Sequence, residues 1–445
     1  MSGPAEPGFA GRERGRPGTL GSGALRPVAA YLRSLNPDLP RPVWLLQAGG
    51  LANWLGQGIA YPFLVIYLHN VRGISLDTAG LVLAFSAAVG LVAFPVAGAV
   101  VDRVGGRLTL GAALVVQATG YALFPLVHDA WQAFAVAAIV GAGVGGFWPG
   151  QSTLLAGLIS EDRRHAAYSV QRIAMNLGFG LGGLTGGLIA TTENATSFTA
   201  LFLINAATCL VFVSVLFGVP EPELEDATEE EERGGYGALL RDRTLLSILG
   251  LNALFVSAGY AQLELLPAFA KNETDVSEVG IGLIFFVNTL SVVLAQLPLM
   301  RLLEGRRRML AYLALGFVWA AGWLGVLAAG IWFTAAAAVA VIAAATIAIG
   351  LGECIHGVVH APLIIDLAPT RQRGRYIALS GTSWSVGFIV GPAVGGVILD
   401  SAPLALWPAA AAAALVGGLL ALRLEARIPS SVRRTPVAKL AAAEA

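Results

Sequence analysis

The sequence predicts an all-α polytopic membrane protein: twelve transmembrane helices in two pseudo-symmetric six-helix bundles. Three observations carry this expectation. Of the 445 residues, 56 % are hydrophobic and only 13 % are charged, where soluble domains are roughly half apolar and a quarter charged. The mean hydropathy is +0.72, and apolar runs of the roughly 20 residues needed to cross a bilayer follow one another along the chain. Finally, motifs in the first half of these runs return in the second.

The apolar runs fall at 43–68, 78–101, 108–127, 131–159, 166–191, 196–218, 245–270, 279–303, 308–329, 332–366, 375–400 and 403–424. The tenth is unusually long and is expected to include interfacial turns. Residues 1–42 are polar, with scattered Pro, Gly and Arg and no short apolar core, which reads as a cytoplasmic tail rather than a signal peptide. Residues 43–218 then form the N-terminal six-helix bundle, 219–244 a cytoplasmic linker, 245–424 the C-terminal bundle and 425–445 a second cytoplasmic tail. The linker contains EPELEDATEEEERGG, residues 221–235, an acidic stretch that reads as a solvated connector.

Orientation follows from the basic residues. Arg103 and Arg107, Arg163 and Arg164, Arg233 to Arg243, Arg306 to Arg308, Arg371 to Arg375, and Arg423 onward lie in alternate connections, with only Arg72 and Lys271 on the opposite side. The positive-inside rule therefore puts both termini in the cytoplasm. A formal net charge of zero excludes a strongly basic or acidic partner surface, so no nucleic acid is expected. Cys209 and Cys354 both sit in apolar runs, which indicates neither a disulfide framework nor a cysteine metal cluster.

The internal repeat is visible at two places. QGIAYP (Gln57 to Pro62) in the first run is matched by QLELLP (Gln262 to Pro267) in the seventh. GFGLGGLTGG (Gly178 to Gly187) in the fifth is matched by GFIVGPAVGG (Gly387 to Gly396) in the eleventh. Gly178, Gly182 and Gly187, with Gly387, Gly391, Pro392, Gly395 and Gly396, are spaced for close backbone approach between helices. A repeat of this kind suggests two bundles with a binding path between them near the midplane.

Between the second and third runs stands GAVVDRVGGR, Gly98 to Arg107. It resembles the G-x-x-x-D-R-x-G-x-R loop of the major facilitator superfamily, and the chain is identified as a twelve-span member on that motif. Gly98, Asp102, Arg103, Gly105 and Arg107 are then the expected conformational switch, a charge network at a helix end that latches one state and releases in the other. The second-half counterpart, RLLEGRRR (Arg301 to Arg308), is degenerate. LGQGIAYP (Leu55 to Pro62) is similar to the L-G-x5-P pattern of the drug–proton antiporter branch. The antiporter pattern G-x-x-x-G-P-x-x-G-G is complete only in the eleventh run, with Pro392; the fifth carries Gly183 at the proline position, and Ala137 stands where the branch has an arginine. The basic residues are almost all arginine, with Lys271 and Lys439 the only lysines. That bias points to a GC-rich bacterial genome and so to a bacterial inner membrane, and the protein is expected to work as a monomer. The resemblance implies transport of a small molecule by alternating access, with a proton as coupling ion and no other cofactor.

Ionisable residues inside the bilayer are functional candidates. On a helix, Glu353, His356 and His360 fall within about 60° of arc, so one face of the tenth run is expected to turn toward a water-filled cavity. Glu264, with Tyr260 one turn earlier, supplies a second acid from the seventh. Carboxyl and imidazole groups shielded from water can be tuned to exchange protons near neutral pH. Acids on the seventh and tenth helices also resemble the proton sites of several multidrug antiporters. Proton coupling is therefore assigned to Glu264, Glu353, His356 and His360. Two other readings stand beside it: a Glu–His contact that only fixes packing, and a metal site, which lacks a fourth evident ligand.

Substrate contacts are expected from Asn53, Gln57 and Tyr61 on the first helix, Trp148 and Gln151 on the fourth, Asn176 on the fifth, and Tyr260 and Gln262 on the seventh. Phe147, Trp319 and Trp323 are further candidates for aromatic walls. A mostly apolar cavity with few polar anchors suits an amphipathic molecule. Arg172 reads two ways, snorkelling to the interface or sitting in the cavity and favouring an anionic substrate. No P-loop is present, since both lysines follow alanine, and no catalytic constellation or metal site stands out. The expected function is proton-coupled efflux of amphipathic, drug-like compounds. Its rivals are a proton-linked carrier of one metabolite and, in another class, a non-transporting membrane sensor or scaffold.

Overall fold

The computed structural model describes residues 39–160, 163–222, 237, 239–369 and 372–436. Most of the first tail and of the acidic linker lie outside these residues. Twelve long helices run through the described residues: α1 (Arg41–Ala60), α2 (Leu76–Val104), α3 (Gly106–Leu123), α4 (Ala130–Gly157), α5 (Arg164–Ile189) and α6 (Ala195–Leu216). The second set is α7 (Arg243–Ala258), α8 (Glu278–Leu303), α9 (Arg308–Trp332), α10 (Ala335–Leu367), α11 (Arg373–Ser401) and α12 (Leu406–Leu424). Among the described residues, eleven helical segments are long and apolar enough to cross a membrane. The 26-residue α5 is not among them. Its sequence spends Arg172 on α10 at Gly357 and a run of glycines on α1 and α8.

Side chains set several helix starts. Asp242 Oδ1 accepts from the backbone N–H groups of Thr244 and Leu245 at 2.8 and 3.1 Å, capping α7. Asn194 caps α6 through Thr196, and Ser277 caps α8 through Gly280. α10 corrects the expectation for the long tenth run: it is one continuous helix of 33 residues with Pro362 inside it. At 1.5 Å per residue that is about 50 Å, well beyond a hydrocarbon core of about 30 Å, so it extends past the membrane rather than breaking at its surface.

The packing repeats. α1 lies on α5 and α6 as α7 lies on α11 and α12. α4 lies on α2 and α3 as α10 lies on α8 and α9, and α3–α6 is matched by α9–α12. Between the two sets, α2 meets α11 and α5 meets α8. Glycine permits these contacts. A Cβ on Gly178 or Gly182 would run into the α1 backbone at Leu51 and Leu55, and one on Gly387 or Gly391 would strike Val256 or Ala261. Gly395 faces Leu265 and Gln262. Gly187 faces Glu278 and Gly282 of α8, while Pro392 and Gly396 of α11 meet Gly80 and Leu76 of α2.

Contacts between the two sets gather at the ends remote from the arginine-rich loops. Leu76 N–H donates to Asp400 Oδ1 at 3.0 Å, Thr192 N–H to Glu278 Oε1 at 3.0 Å, and Asn70 Nδ2 to Asn272 Oδ1 at 2.6 Å. Glu278 also pairs with Lys271 at 2.9 Å. Asp400 thus caps a helix belonging to the other set. Asp400→Ala is expected to remove about 1 kcal/mol from the state with this side closed, a shift of about fivefold in population. Spin-label distances between Glu193 and Glu273, both on that side, would show it as a larger long-distance fraction.

At the arginine-rich side, Arg107 and Arg307 each bond within their own set. Gly105 has φ +86°, and Arg107 after it donates through its backbone N–H to Glu221 (3.0 Å) and through Nη1 to Val219 O (3.1 Å). The degenerate second loop does the same: Gly305 has φ +68°, and Arg307 makes a two-pronged bond to Glu425 at 2.7 and 2.5 Å. Arg308 pairs with Asp366. The chain after α12 folds back here, with Arg308 N–H donating to Arg433 O at 2.9 Å and Thr435 N–H to Arg306 O at 2.9 Å. Asp102 and Arg103 are exposed, and a Cβ on Gly98 would meet nothing within 4 Å.

Candidate functional site between the helix sets

Two broken helices meet where the sets face one another. α1 ends in a 3-10 turn, Tyr61–Phe63, and α7 in a longer one, Tyr260–Glu264. Pro62 lacks the N–H that would continue the helical ladder at the first turn, whereas α7 leaves its helix at Gly259 (φ −109°, ψ −86°) and Pro267 opens the short helix that follows the second turn. The turns present Tyr61 and Glu264 to each other, and Tyr61 Oη donates to Glu264 Oε1 at 2.5 Å. Both side chains are half-buried.

Glu353, also half-buried, comes from the middle of α10. Its Oε1 lies 3.4 Å from the Asn288 Nδ2 donor of α8, which also donates to Thr346 O at 3.0 Å. Tyr260 Oη sits 3.3 Å from the Glu353 carbonyl oxygen and stacks at a tilt on Trp384 of α11, ring centroids 4.8 Å apart. Arg172 of α5 reaches this place from the other set. A Cβ at Gly357 would lie 3.1 Å from both Nη1 and Nη2, so the guanidinium rests against the bare α10 backbone. Its charge is close enough to Glu353 for a through-space interaction.

The histidines correct the sequence reading. His356 and His360 are 0 % and 3 % exposed and lie inside the second set of helices, away from the face that Glu353 presents. Their rings stack at 5.2 Å. His356 Nε2 bonds Asn252 Oδ1 at 2.9 Å, and its Nδ1 is 3.4 Å from Tyr260 Oη. His360 Nδ1 meets Tyr312 Oη at 3.2 Å and its Nε2 meets Ser380 Oγ at 2.8 Å. Asn252 Nδ2 continues the network to Ser383 Oγ at 2.7 Å. A modest arc on the α10 surface suffices to send Glu353 toward α8 and the histidines toward α7, α9 and α11. Every imidazole nitrogen is taken by a neighbouring helix.

The expected substrate contacts divide in the same way. Tyr61 and Tyr260 are half-buried at the meeting place, and Trp148 is 39 % exposed beside Trp54, ring centroids 6.0 Å apart. Phe147 is buried and edge-on to Trp54. Gln57 is held within the first set: its Nε2 donates to Gln117 Oε1 at 3.1 Å, and Tyr121 Oη donates to its Oε1 at 2.7 Å. Asn53 accepts from Cys209 Sγ at 3.3 Å, and Gln262 donates to Ser257 O at 2.8 Å. All three are buried, because a polar side chain on the rear of a helix must find its partner in the bundle. Asn176 Nδ2 donates to Arg172 O at 2.9 Å. Gln151 is fully buried, with neither amide atom partnered among the described residues.

Trp319 and Trp323 are not cavity walls. Both are fully buried and pin helices together, Nε1 donating to Ile349 O at 2.9 Å and to Ala258 O at 2.7 Å respectively. Sequence reasoning passed over Trp54, Trp384, Asn252 and Asn288. The last two carried a usable signal, a lone amide within an apolar run, the rule that singled out Glu353.

Comparisons with known proteins bear on this geometry. The Major Facilitator Superfamily model matches residues 47–271 and 258–443. The chain is 26 % identical over 370 residues to the uncharacterized MFS-type transporter YttB of Bacillus subtilis, covering 81 % of this chain and 89 % of that one. It is 24 % identical over 170 residues to the quinolone resistance protein NorA of Staphylococcus aureus, covering 38 % and 43 %. The crystal structure of a mutant of the nucleoside transporter NupG shares the fold, with a TM-score of 0.71 at 12 % identity over 86 % of this chain and all of that one.

Proposed function

The chain belongs to the major facilitator superfamily of secondary transporters, and from that premise we propose that it exports amphipathic, drug-like compounds in exchange for protons. One observation carries the reading: two carboxylates, Glu264 and Glu353, stand half-buried between the helix sets, Glu264 tied to the opposite set through Tyr61. A group that exchanges a proton during alternating access has to sit where both sides reach it in turn, and the seam between the sets is that place. With the arginine-rich loops cytoplasmic, the conformation is inward-facing, its contacts gathered on the outer side. The partial similarity to NorA adds weight to a drug-like substrate.

In this mechanism a compound enters from the cytoplasm and settles between the Tyr260–Trp384 and Trp54–Trp148 aromatic pairs. A cationic group pairs with ionised Glu264 or Glu353. The sets rock, protons from outside neutralise the carboxylates, and the compound leaves. Glu264 and Glu353 are the proton carriers, while His356 and His360 hold α10 to its neighbours. Each inward proton supplies about 2.3 kcal/mol per 100 mV and about 1.4 kcal/mol per pH unit. For a neutral substrate those sum to a concentration ratio of a few hundredfold. For a monovalent cation exchanged one for one, the electrical part cancels.

The test is reconstitution in liposomes under an imposed pH gradient, following ethidium and lumenal pH together. Coupled movement of both is expected. Absence of coupled movement with ethidium and a panel of lipophilic cations, from folded protein, would sink the multidrug reading and leave a carrier of one metabolite. A sensor or scaffold would show no flux of any compound.

A further inference from the structure

We propose that Arg172 is a binding anchor for an anionic group on the transported compound, so that the cavity favours amphoteric molecules bearing both an amine and a carboxylate or similar anion. This rests on the export reading above and narrows its substrate class. Arg172 projects from α5 of the first helix set to the α10 backbone of the second, where Gly357 leaves room that any side chain would take. Its Nε is buried without a hydrogen-bond partner, and it takes part in none of the ion pairs among the described residues. Glu353 is within through-space reach of it but forms no ion pair with it, its Oε1 lying against Asn288 Nδ2. A guanidinium held between helices with an unsatisfied N–H is costly unless something binds it.

The surroundings say what that is. A guanidinium is a planar fork suited to a carboxylate or phosphate-like group. Glu353 sits one turn before Gly357 on α10, and Tyr260 and Trp384 supply an aromatic face nearby. Cation and anion subsites thus lie side by side, drawn from opposite helix sets. A compound carrying both charges would bridge the sets, whereas a simple cation would engage the acids and leave Arg172 unpaired.

The probes are a fluoroquinolone, which carries a secondary amine and a ring carboxylate, and its methyl ester, which keeps only the amine. Binding of each to purified protein is read by fluorescence titration. The wild-type protein is expected to bind the acid about tenfold more tightly than the ester, the worth of one charge-assisted contact. Arg172→Gln should bring the two within about twofold of each other. Arg172→Lys, which keeps the charge but not the fork, should retain part of the preference. Equal or tighter binding of the ester by wild-type protein would overturn the proposal, and needs no variant to fold. So would a wild-type preference that survives in Arg172→Gln. Proton movement in liposomes is read separately. Coupled proton flux without any preference for the acid defeats the anchor alone, and a preference that depends on Arg172 without proton flux defeats proton-coupled export alone.

Discussion

Glu264→Gln is expected to abolish proton-coupled transport, with the flux of protons and substrate in liposomes falling by at least about a hundredfold, the scale on which loss of an obligatory proton-transfer group is felt. The substitution is nearly isosteric. Its amide oxygen can still accept from Tyr61 Oη, so the join between the two broken helices survives while the capacity to take up a proton is lost. Tyr61→Phe is the counterpart. It keeps the carboxylate and removes its donor across the seam, for an expected loss of about tenfold in rate, the worth of one hydrogen bond to a charged group. Wild-type proton coupling in folded Glu264→Gln protein would show that the acid serves packing alone.

Gly182→Leu should fail to give folded protein. The glycine faces Leu55 O, the Gly58 Cα and the Ile59 N–H of α1, so an added side chain meets backbone rather than a rotamer that can swing aside. Overpacking in a core costs about 1–3 kcal/mol when side chains can give, and more where they cannot. The control is Gly381→Ala on α11. A Cβ there meets nothing within 4 Å, and alanine favours the helix by up to about 1 kcal/mol. A monodisperse peak on size-exclusion chromatography for Gly381→Ala, and its loss for Gly182→Leu, is the expected pair of results. A normal peak for Gly182→Leu would mean that α1 and α5 are not locked at this point.

Much of the fold was legible because a bilayer leaves the chain few options. Long apolar runs, separated by arginines on one side, specify helices and their direction before any contact is known. The Q-x-x-x-x-P repeat marked both helix breaks: Pro62 falls in the 3-10 turn that places Tyr61, and Pro267 three residues after the turn that places Glu264. Other features depended on tertiary contact. RLLEGRRR reads as degenerate, yet Gly305 and Arg307 reproduce the turn and carboxylate bond of Gly105 and Arg107, because a positive φ and a nearby acid need only two residues to match. Helical periodicity placed Glu353 and the histidines on one face but could not say which neighbouring helices that face would meet. Gln57 and Asn53 share that difficulty: a polar residue in a membrane helix announces a partner, and sequence alone does not tell whether it is a substrate or another helix.

Proton release on substrate binding tests the central claim, that Glu264 and Glu353 carry the proton that substrate displaces. Ethidium would be added to purified protein in weakly buffered detergent solution while a pH indicator is read. The account predicts acidification by the wild-type protein and none by the Glu264→Gln, Glu353→Gln double variant. Undiminished release from the folded double variant would contradict it.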